Sequence, residues 1–334
     1  MPLQPDAYAV RKELLCRVSF CTIEVPCQND ALRNDEFKWS EQPKQTFTMS
    51  DSPIRLIVLA RDQSPRIQNA WSEMAEFLQG QTGTEIVDAT VATDFQLESL
   101  EADLVVTLGG DGAILRACRQ LGSRQLPILG VNLGRLGFLA DLSPEGFREN
   151  FEKIRAREYN VVEHLMFECV HKHADGNSET YLGLNEVAVS AAGSLRMLDI
   201  LLTIDDEPVT TYSCDGLIVS TPVGSTAHSL SAGGPILRQE LRAFVITPLC
   251  PHTLTNRPIV DHADRIYTLS MLDVPEGVMV VIDGQIKKPL AAGDQIEVRR
   301  ASVTFQLVRI RGHSYYATLR RKLGWGGQPR YRSQ

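Results

Sequence analysis

The sequence predicts an α/β domain followed by a β-rich one. Three observations carry this. Over residues 54–150 short apolar runs alternate with helix-like segments, which is the pattern of a Rossmann-like parallel sheet covered by helices. Beyond about residue 160 the chain changes to many short β-prone runs separated by turns. Its 334 residues are about twice a typical domain, enough for two cores.

The elements follow in chain order. Residues 1–52 form an N-terminal extension with three cysteines in its first 27 positions and a polar tract over 28–45, which argues against an ordered core. Met49 stands just ahead of the first buried strand, Ile54–Ala60, so the working fold is expected to begin near residue 50; the alternative for the extension is a regulatory or assembly arm. A helix is expected over 71–79, then a strand at Leu104–Leu108 that runs straight into Gly109, Gly110, Asp111 and Gly112 and a second helix from Ala113. Residues 127–131 make the next strand, ending at the loop 132–138. In the second region strands are expected at 184–190, 199–204, Gly216–Ser220, Val278–Ile282 and 295–298. A last helix over 316–323 stops at Gly324. The resulting division is an α/β domain over 53–160, a β-rich domain over 161–312 and a C-terminal segment over 313–334.

Composition excludes several classes of function. A net charge of −7 gives no global attraction to nucleic acid or anionic membrane, and the longest basic run is Arg320-Arg321-Lys322, a solvated helix face. The seven cysteines form no Cys-x-x-Cys pair and fit neither a disulfide framework nor a zinc site; a reducing, cytoplasmic setting is expected. No stretch has the length and apolarity of a membrane span, and charges stand where a signal peptide needs an apolar run.

The glycine loop after Leu108 carries the chemistry. A strand that ends in glycines and opens a helix aims backbone N–H groups and the positive helix end at one point, which suits a phosphate. Asp111 is out of place there unless it faces a metal or a hydroxyl whose proton it accepts, which argues for phosphoryl transfer. Because active sites of parallel sheets lie past the carboxyl ends of strands, the loop 132–138 is expected to share that crevice, with Phe138 lining it. Residues 215–235 pack hydroxyls and glycines behind a short strand, a surface of nucleotide size. Asn185 and Glu186 offer an amide and a carboxylate side by side, a pair suited to ribose hydroxyls.

Seven motifs stand in a fixed order: GGDG (109–112), GVNLGRLGFL (130–139), LNEV (184–187), the block 215–235, PHTL (251–254) with NRP (256–258), DGQ (283–285) and KLGW (322–325). Over residues 54–327 the chain resembles the bacterial NAD kinases. The resemblance implies ATP-dependent transfer of phosphate to the 2′-hydroxyl of the adenosine ribose of NAD, giving NADP, in a homo-oligomer, dimer or tetramer. It implies a site between an α/β and a β-rich domain, with the chain's end returning to the first. By position Asp111 resembles the general base, Gly112 and neighbouring amides would hold phosphates, and Arg116 would add positive charge. Asn185 and Glu186 resemble the pair that grips a ribose. Arg196, Asp215, Thr226, Ala227, His228, Ser229, Leu230, Ser231 and Gln285 match positions that line the dinucleotide pocket. Mg²⁺ or another divalent ion is expected on the ATP phosphates, with no protein ligand assigned to it.

Three positions depart from the family pattern. Ala113 stands where threonine or asparagine is common, and His228 where tyrosine is usual. Ser213, two before Asp215, replaces a basic residue that some relatives carry on the nicotinamide side, which leaves NAD against NADH open. The donor is likewise open between ATP, other nucleotides and polyphosphate. Two other functions compete: a lipid or sugar phosphate kinase with the same glycine loop, and a non-catalytic dinucleotide sensor. His171 and His173 would share a face on a strand and could bind a metal, yet 172–179 reads as an exposed loop, and no metal site is assigned. Cys214 is expected to be a packed residue and His252 a turn support.

Overall fold

The computed structural model describes residues 52–60, 63–91, 101–134, 137–140, 142–191, 197–252, 257–310 and 314–325. The N-terminal extension up to residue 51 and the expected pocket residue Arg196 lie outside them. The first strand, β1 (Ile54–Ala60), is buried at every position but Arg55, as a strand covered on both faces must be. Helix α1 (Pro65–Gln79) starts six residues earlier than the apolar pattern suggested, because Pro65 occupies the first helical turn, where its missing N–H costs nothing. It is followed by β2 (Thr84–Val91), whose polar TEIVDATV pattern concealed it from sequence reading. Next come β3 (Leu104–Leu108), α2 (Asp111–Leu121), β4 (Ile128–Val131) and two short helices, α3 (Pro144–Glu149) and α4 (Phe151–Arg155). Strands β1 to β4 pair in parallel, in the order β2-β1-β3-β4.

The β-rich part begins with the long hairpin β5 (Asn160–Lys172) and β6 (Ser178–Gly183). It continues through β7 (Glu186–Ala191), β8 (Leu198–Ile204), β9 (Glu207–Cys214), β10 (Gly216–Ser220) and, after a single 3₁₀ turn at Gly224–Thr226, α5 (His228–Ser231). The remaining elements are β11 (Ala243–Leu249), β12 (Ile259–His262), β13 (Tyr267–Ser270), β14 (Val278–Ile282), β15 (Ile286–Pro289), β16 (Gln295–Arg309) and α6 (Tyr315–Leu323). The expected strand at 295–298 is the first quarter of β16. Helix α6 ends as expected, at Gly324 in the left-handed region, with Arg320, Arg321 and Lys322 in its last turn opposing the helix dipole.

Strand β16 ties the molecule together. Its early part pairs antiparallel with β13 and β5, and its later part reaches β4, where Leu307 pairs in parallel with Ile128. One sheet therefore runs from β2 through β4 and β16 to β13, β8 and β9. A second, antiparallel sheet has the order β12-β11-β10-β7-β14-β15. The β-rich core forms between the two sheets, where Phe167, Val189, Tyr212, Phe244, Tyr267 and Val298 pack together.

Candidate functional site

Strand β3 delivers the chain to Gly109, which takes φ 145° and lies so close to the next helix that an added Cβ would stand 2.8 Å from the Ala113 Cβ; a glycine is required there. Gly110 caps α2 in extended conformation, making Asp111 its first residue. The Asp111 carboxylate meets the loop 137–140. Oδ2 accepts the Phe138 amide at 2.8 Å, and Oδ1 accepts those of Leu139 and Ala140 at 3.0 and 2.9 Å. A carboxylate offers about four acceptor positions, so among the described residues one on Oδ2 is left open.

The same loop is gripped from behind. Arg309, at the end of β16 and 9% exposed, donates to the carbonyls of Leu139 (3.2 Å) and Phe138 (2.8 Å). Carbonyls thus face the guanidinium and amides face Asp111. Lys322 of α6 lies 5.3 Å from the centre of the half-buried Phe138 ring.

The first turn of α2 is also linked to the β-rich part. Gln285 donates its Nε2 to the Gly112 carbonyl (3.0 Å) and accepts from Arg119, which also faces Asp283 at 3.4 Å. Asp283 (φ 50°) and Gly284 (φ 67°) form the left-handed turn of the β14–β15 hairpin. The buried Asp283 carboxylate accepts the amides of Leu184, Asn185 and Glu186, at 3.1, 2.7 and 3.2 Å for the shortest contact of each. Asp283→Ala would leave those amides without their acceptor and Arg119 without its counter-ion. We expect it to lower the unfolding free energy by about 3 kcal/mol, read from urea titration. Arg116 is half-buried one helical turn beyond Gly112.

Asn185 and Glu186 therefore sit beside the α2 linkage. The Asn185 carbonyl accepts the Thr221 amide at 2.9 Å, which brings the 221–231 segment alongside. Glu186 is 6% exposed, and its Oε2 has no hydrogen-bond partner among the described residues. Burial, together with the nearby Asp283 carboxylate, pushes its pKa up from 4.5 to about 8. At neutral pH it therefore presents a largely protonated, uncharged carboxyl able to donate a hydrogen bond. The unfolded chain releases this proton near pH 4.5 and the folded one near pH 8, so stability falls as pH rises through that window. Melting temperatures from pH 5 to 9 are expected to show that fall in the parent and a flatter profile in Glu186→Gln.

The segment after β10 is mixed. Thr226, Ala227 and Leu230 are half-buried, and His228 and Ser231 are exposed. Ser229 is fully buried, and its hydroxyl bonds that of Thr247 at 2.9 Å, so this side chain serves the contact of α5 with β11. Ser213 and Asp215 lie elsewhere. Register pairs Ser220 with Glu186 and Gly216 with Ser190, which puts Asp215 at the far end of β10, about 17 Å along the strand from Ser220. Ser213 bonds Asp199, and Asp215 is exposed with His252 at 3.9 Å. Cys214 is buried, as expected of a packed residue.

Sequence reasoning missed Arg309 and the supporting parts of Gly137, Arg119 and Asp283. The signal for Arg309 was a single charge inside the apolar run 305–310. Among the described residues no group of three metal ligands gathers at the glycine loop, and no helix is long and apolar enough to cross a membrane.

Comparison with known proteins supplies further findings. The ATP-NAD kinase N-terminal domain model matches residues 14–159 and the ATP-NAD kinase C-terminal domain model residues 184–310. The NAD kinase of Rhodopirellula baltica is 44% identical over 276 residues, covering 83% of this chain and 88% of that one. That of Geotalea daltonii is 38% identical over 280 residues, covering 81% and 99%. Among solved structures, the Archaeoglobus fulgidus NAD kinase in complex with ATP superposes with TM-score 0.63 at 28% identity, covering 82% of this chain and all (100%) of that one. Yeast NADH kinase complexed with NADH gives TM-score 0.75 over 84% and 90% of the two chains; at 24% identity it speaks for the fold.

Proposed function

The chain belongs to the ATP-NAD kinase family, and from that premise we propose that it moves the γ-phosphoryl group of ATP to the 2′-hydroxyl of the adenosine ribose of NAD with Asp111 as general base. ATP-dependent phosphorylation of NAD is the reaction of this family of enzymes. The observation that carries the assignment of the base is the fixed Asp111 carboxylate with one free position on Oδ2. The hydroxyl oxygen attacks the γ-phosphorus, the bond to the β-phosphate bridging oxygen breaks, ADP leaves, and the hydroxyl proton passes to Oδ2. Phosphoryl transfer through a loose transition state asks chiefly for positioning and charge neutralisation, with late proton removal, so a carboxylate suffices.

Gly112, the neighbouring amides and Arg116 would hold phosphates, with Phe138 at the edge and Gln285 fixing the α2 start. Asn185 and Glu186 would take the ribose, and Thr226, Ala227, His228, Leu230 and Ser231 would line the dinucleotide. Magnesium would enter as the ATP complex, with no protein ligand assigned to it. A cytoplasmic enzyme fits the unpaired thiols of Cys118, Cys169, Cys214 and Cys250. A homo-oligomer, dimer or tetramer, would give Ser213 and Asp215 a role by setting one copy's β10 end beside another's pocket. The change from parallel to antiparallel pairing at β5 supports a division between 53–160 and 161–312, with 313–334 as the C-terminal segment of the proposed division.

The test is NADP formation from NAD, ATP and Mg²⁺, read with an NADP-specific dehydrogenase, with NADH and polyphosphate as the alternative acceptor and donor. NADP is the expected product. Tight NAD binding without product from any donor would leave a sensor, and turnover of lipid or sugar substrates alone would leave the other kinase class.

A further inference from the structure

At the end of β16 opposite Arg309, two histidines and an aspartate converge. His171, the next-to-last residue of β5, is 1% exposed and places Nε2 at 2.8 Å from Asp294 Oδ2. His173, just past the strand, places Nδ1 at 3.5 Å from the same oxygen. The two imidazole rings lie 4.0 Å apart. Asp294 is 7% exposed and is fixed by the turn before β16, where its Oδ1 accepts the Ala174 amide and its Oδ2 the Ala291 amide, both at 3.1 Å. The expected exposed loop is only 173–177; His171 and Lys172 belong to β5, and Ser178 and Glu179 to β6.

The hydrogen bonding of this cluster is incomplete. Oδ2 already accepts from Ala291 and His171, which fills its two lone pairs. The other nitrogen of His173, Nε2, faces Glu179 at 3.6 Å, and Glu179 is in turn held by Lys288 (2.9 Å) and the Tyr181 hydroxyl. With its proton on Nε2 toward Glu179, His173 turns an Nδ1 lone pair toward the Asp294 oxygen. Two electron-rich atoms then face each other at 3.5 Å beside a second imidazole. A cation relieves that arrangement.

We propose that His171, His173 and Asp294 form a site for one divalent transition metal ion of the zinc class, with Glu179 orienting His173 from the outer side. Ligands about 2.0–2.1 Å from a tetrahedral ion stand roughly 3.3 Å from one another, and the separations of Asp294 Oδ2 from His171 Nε2 (2.8 Å) and His173 Nδ1 (3.5 Å) bracket that value. Imidazole nitrogens with one carboxylate select zinc or cobalt over magnesium. A carboxylate behind a ligating histidine is the usual means of fixing its tautomer. His173 is 29% exposed, which gives the ion a route in and leaves water to complete its shell. Bound there, the ion clips the β5–β6 turn to the turn between β15 and β16. Its role is structural, and it is separate from the magnesium that accompanies ATP.

The experiment uses the full chain, stripped with chelator and exposed to Zn²⁺ alone. Retention of one zinc per chain after dialysis is expected, with a melting temperature raised by on the order of 5 °C. Cobalt in its place is expected to give visible ligand-field bands without a thiolate charge-transfer band, which separates this site from the cysteines. His173→Ala, at a half-exposed position, is expected to keep the fold and NADP formation while losing both the zinc and the shift. Glu179→Gln is expected to weaken zinc binding roughly 10–100-fold. Absence of zinc from the parent, or equal zinc in His173→Ala, overturns the proposal.

Discussion

Asp111→Asn is expected to lower kcat for NADP formation by on the order of 10³, within the range that removal of a general base produces, while NAD binding stays close to that of the parent. An asparagine has one oxygen in place of two. With that oxygen at the Oδ1 position, it keeps the Leu139 and Ala140 amides and turns its NH₂ toward the Phe138 amide and the substrate. The loop is then still held at two of three points, and the atom facing the hydroxyl is a donor that takes no proton. The reverse orientation gives up two amide bonds and is disfavoured. Steady-state kinetics together with calorimetric NAD binding separates the effects. A fall in kcat of less than about tenfold, against the usual size of a general-base effect, would remove Asp111 from the role of base.

Gly137→Ala is expected to cost on the order of 10² in kcat or more without touching any substrate contact. A Cβ at position 137 would stand 1.9 Å from Asp111 Oδ1 and 2.6 Å from its Cγ. Neither side yields easily. The loop is tied by Arg309 through two carbonyls, and Asp111 is tied by three amides, so the carboxylate is displaced or rotated. Such overpacking also costs about 1–3 kcal/mol of stability, which a melting curve would register alongside the kinetics. A variant with near-parental kcat would mean that the carboxylate needs no such cradle.

The α/β half of the fold was legible because β1, β3 and β4 are short apolar runs and α2 begins directly after its glycine turn. Strand β2 was not, since it sits at the sheet edge, where one neighbour and partial exposure permit a polar sequence. Much of the β-rich part escaped for a related reason. In β5, β9 and β13, Glu, Thr and His alternate with apolar residues, and only the pairing partner decides that they are strands. The site was legible as motifs and not as a network. The GGDG loop places Asp111, but its partners at 137–140 and 309 come from distant segments, and Asp283 shows its part only once three amides from 184–186 meet it. Ser229 and Asp215 illustrate the converse. A family motif names a position, while burial and strand register decide where its side chain lies, Ser229 against Thr247 and Asp215 at the far end of β10 within one chain.

The route of β16 has a bearing on how the chain matures on the ribosome. The outer edge of β4 is covered by a strand that is synthesised some 180 residues later, since Leu307 is its partner at Ile128. Until then the nascent α/β portion carries an open strand edge, and the loop that will hold Asp111 lacks Arg309. Such an edge is a template for wrong pairing with other chains. The long sequence separation of this contact also makes its closure late and slow. Catalytic competence and completion of the first sheet therefore arrive together, once residue 309 has left the ribosome, and a chain released short of it would be both inactive and prone to aggregate.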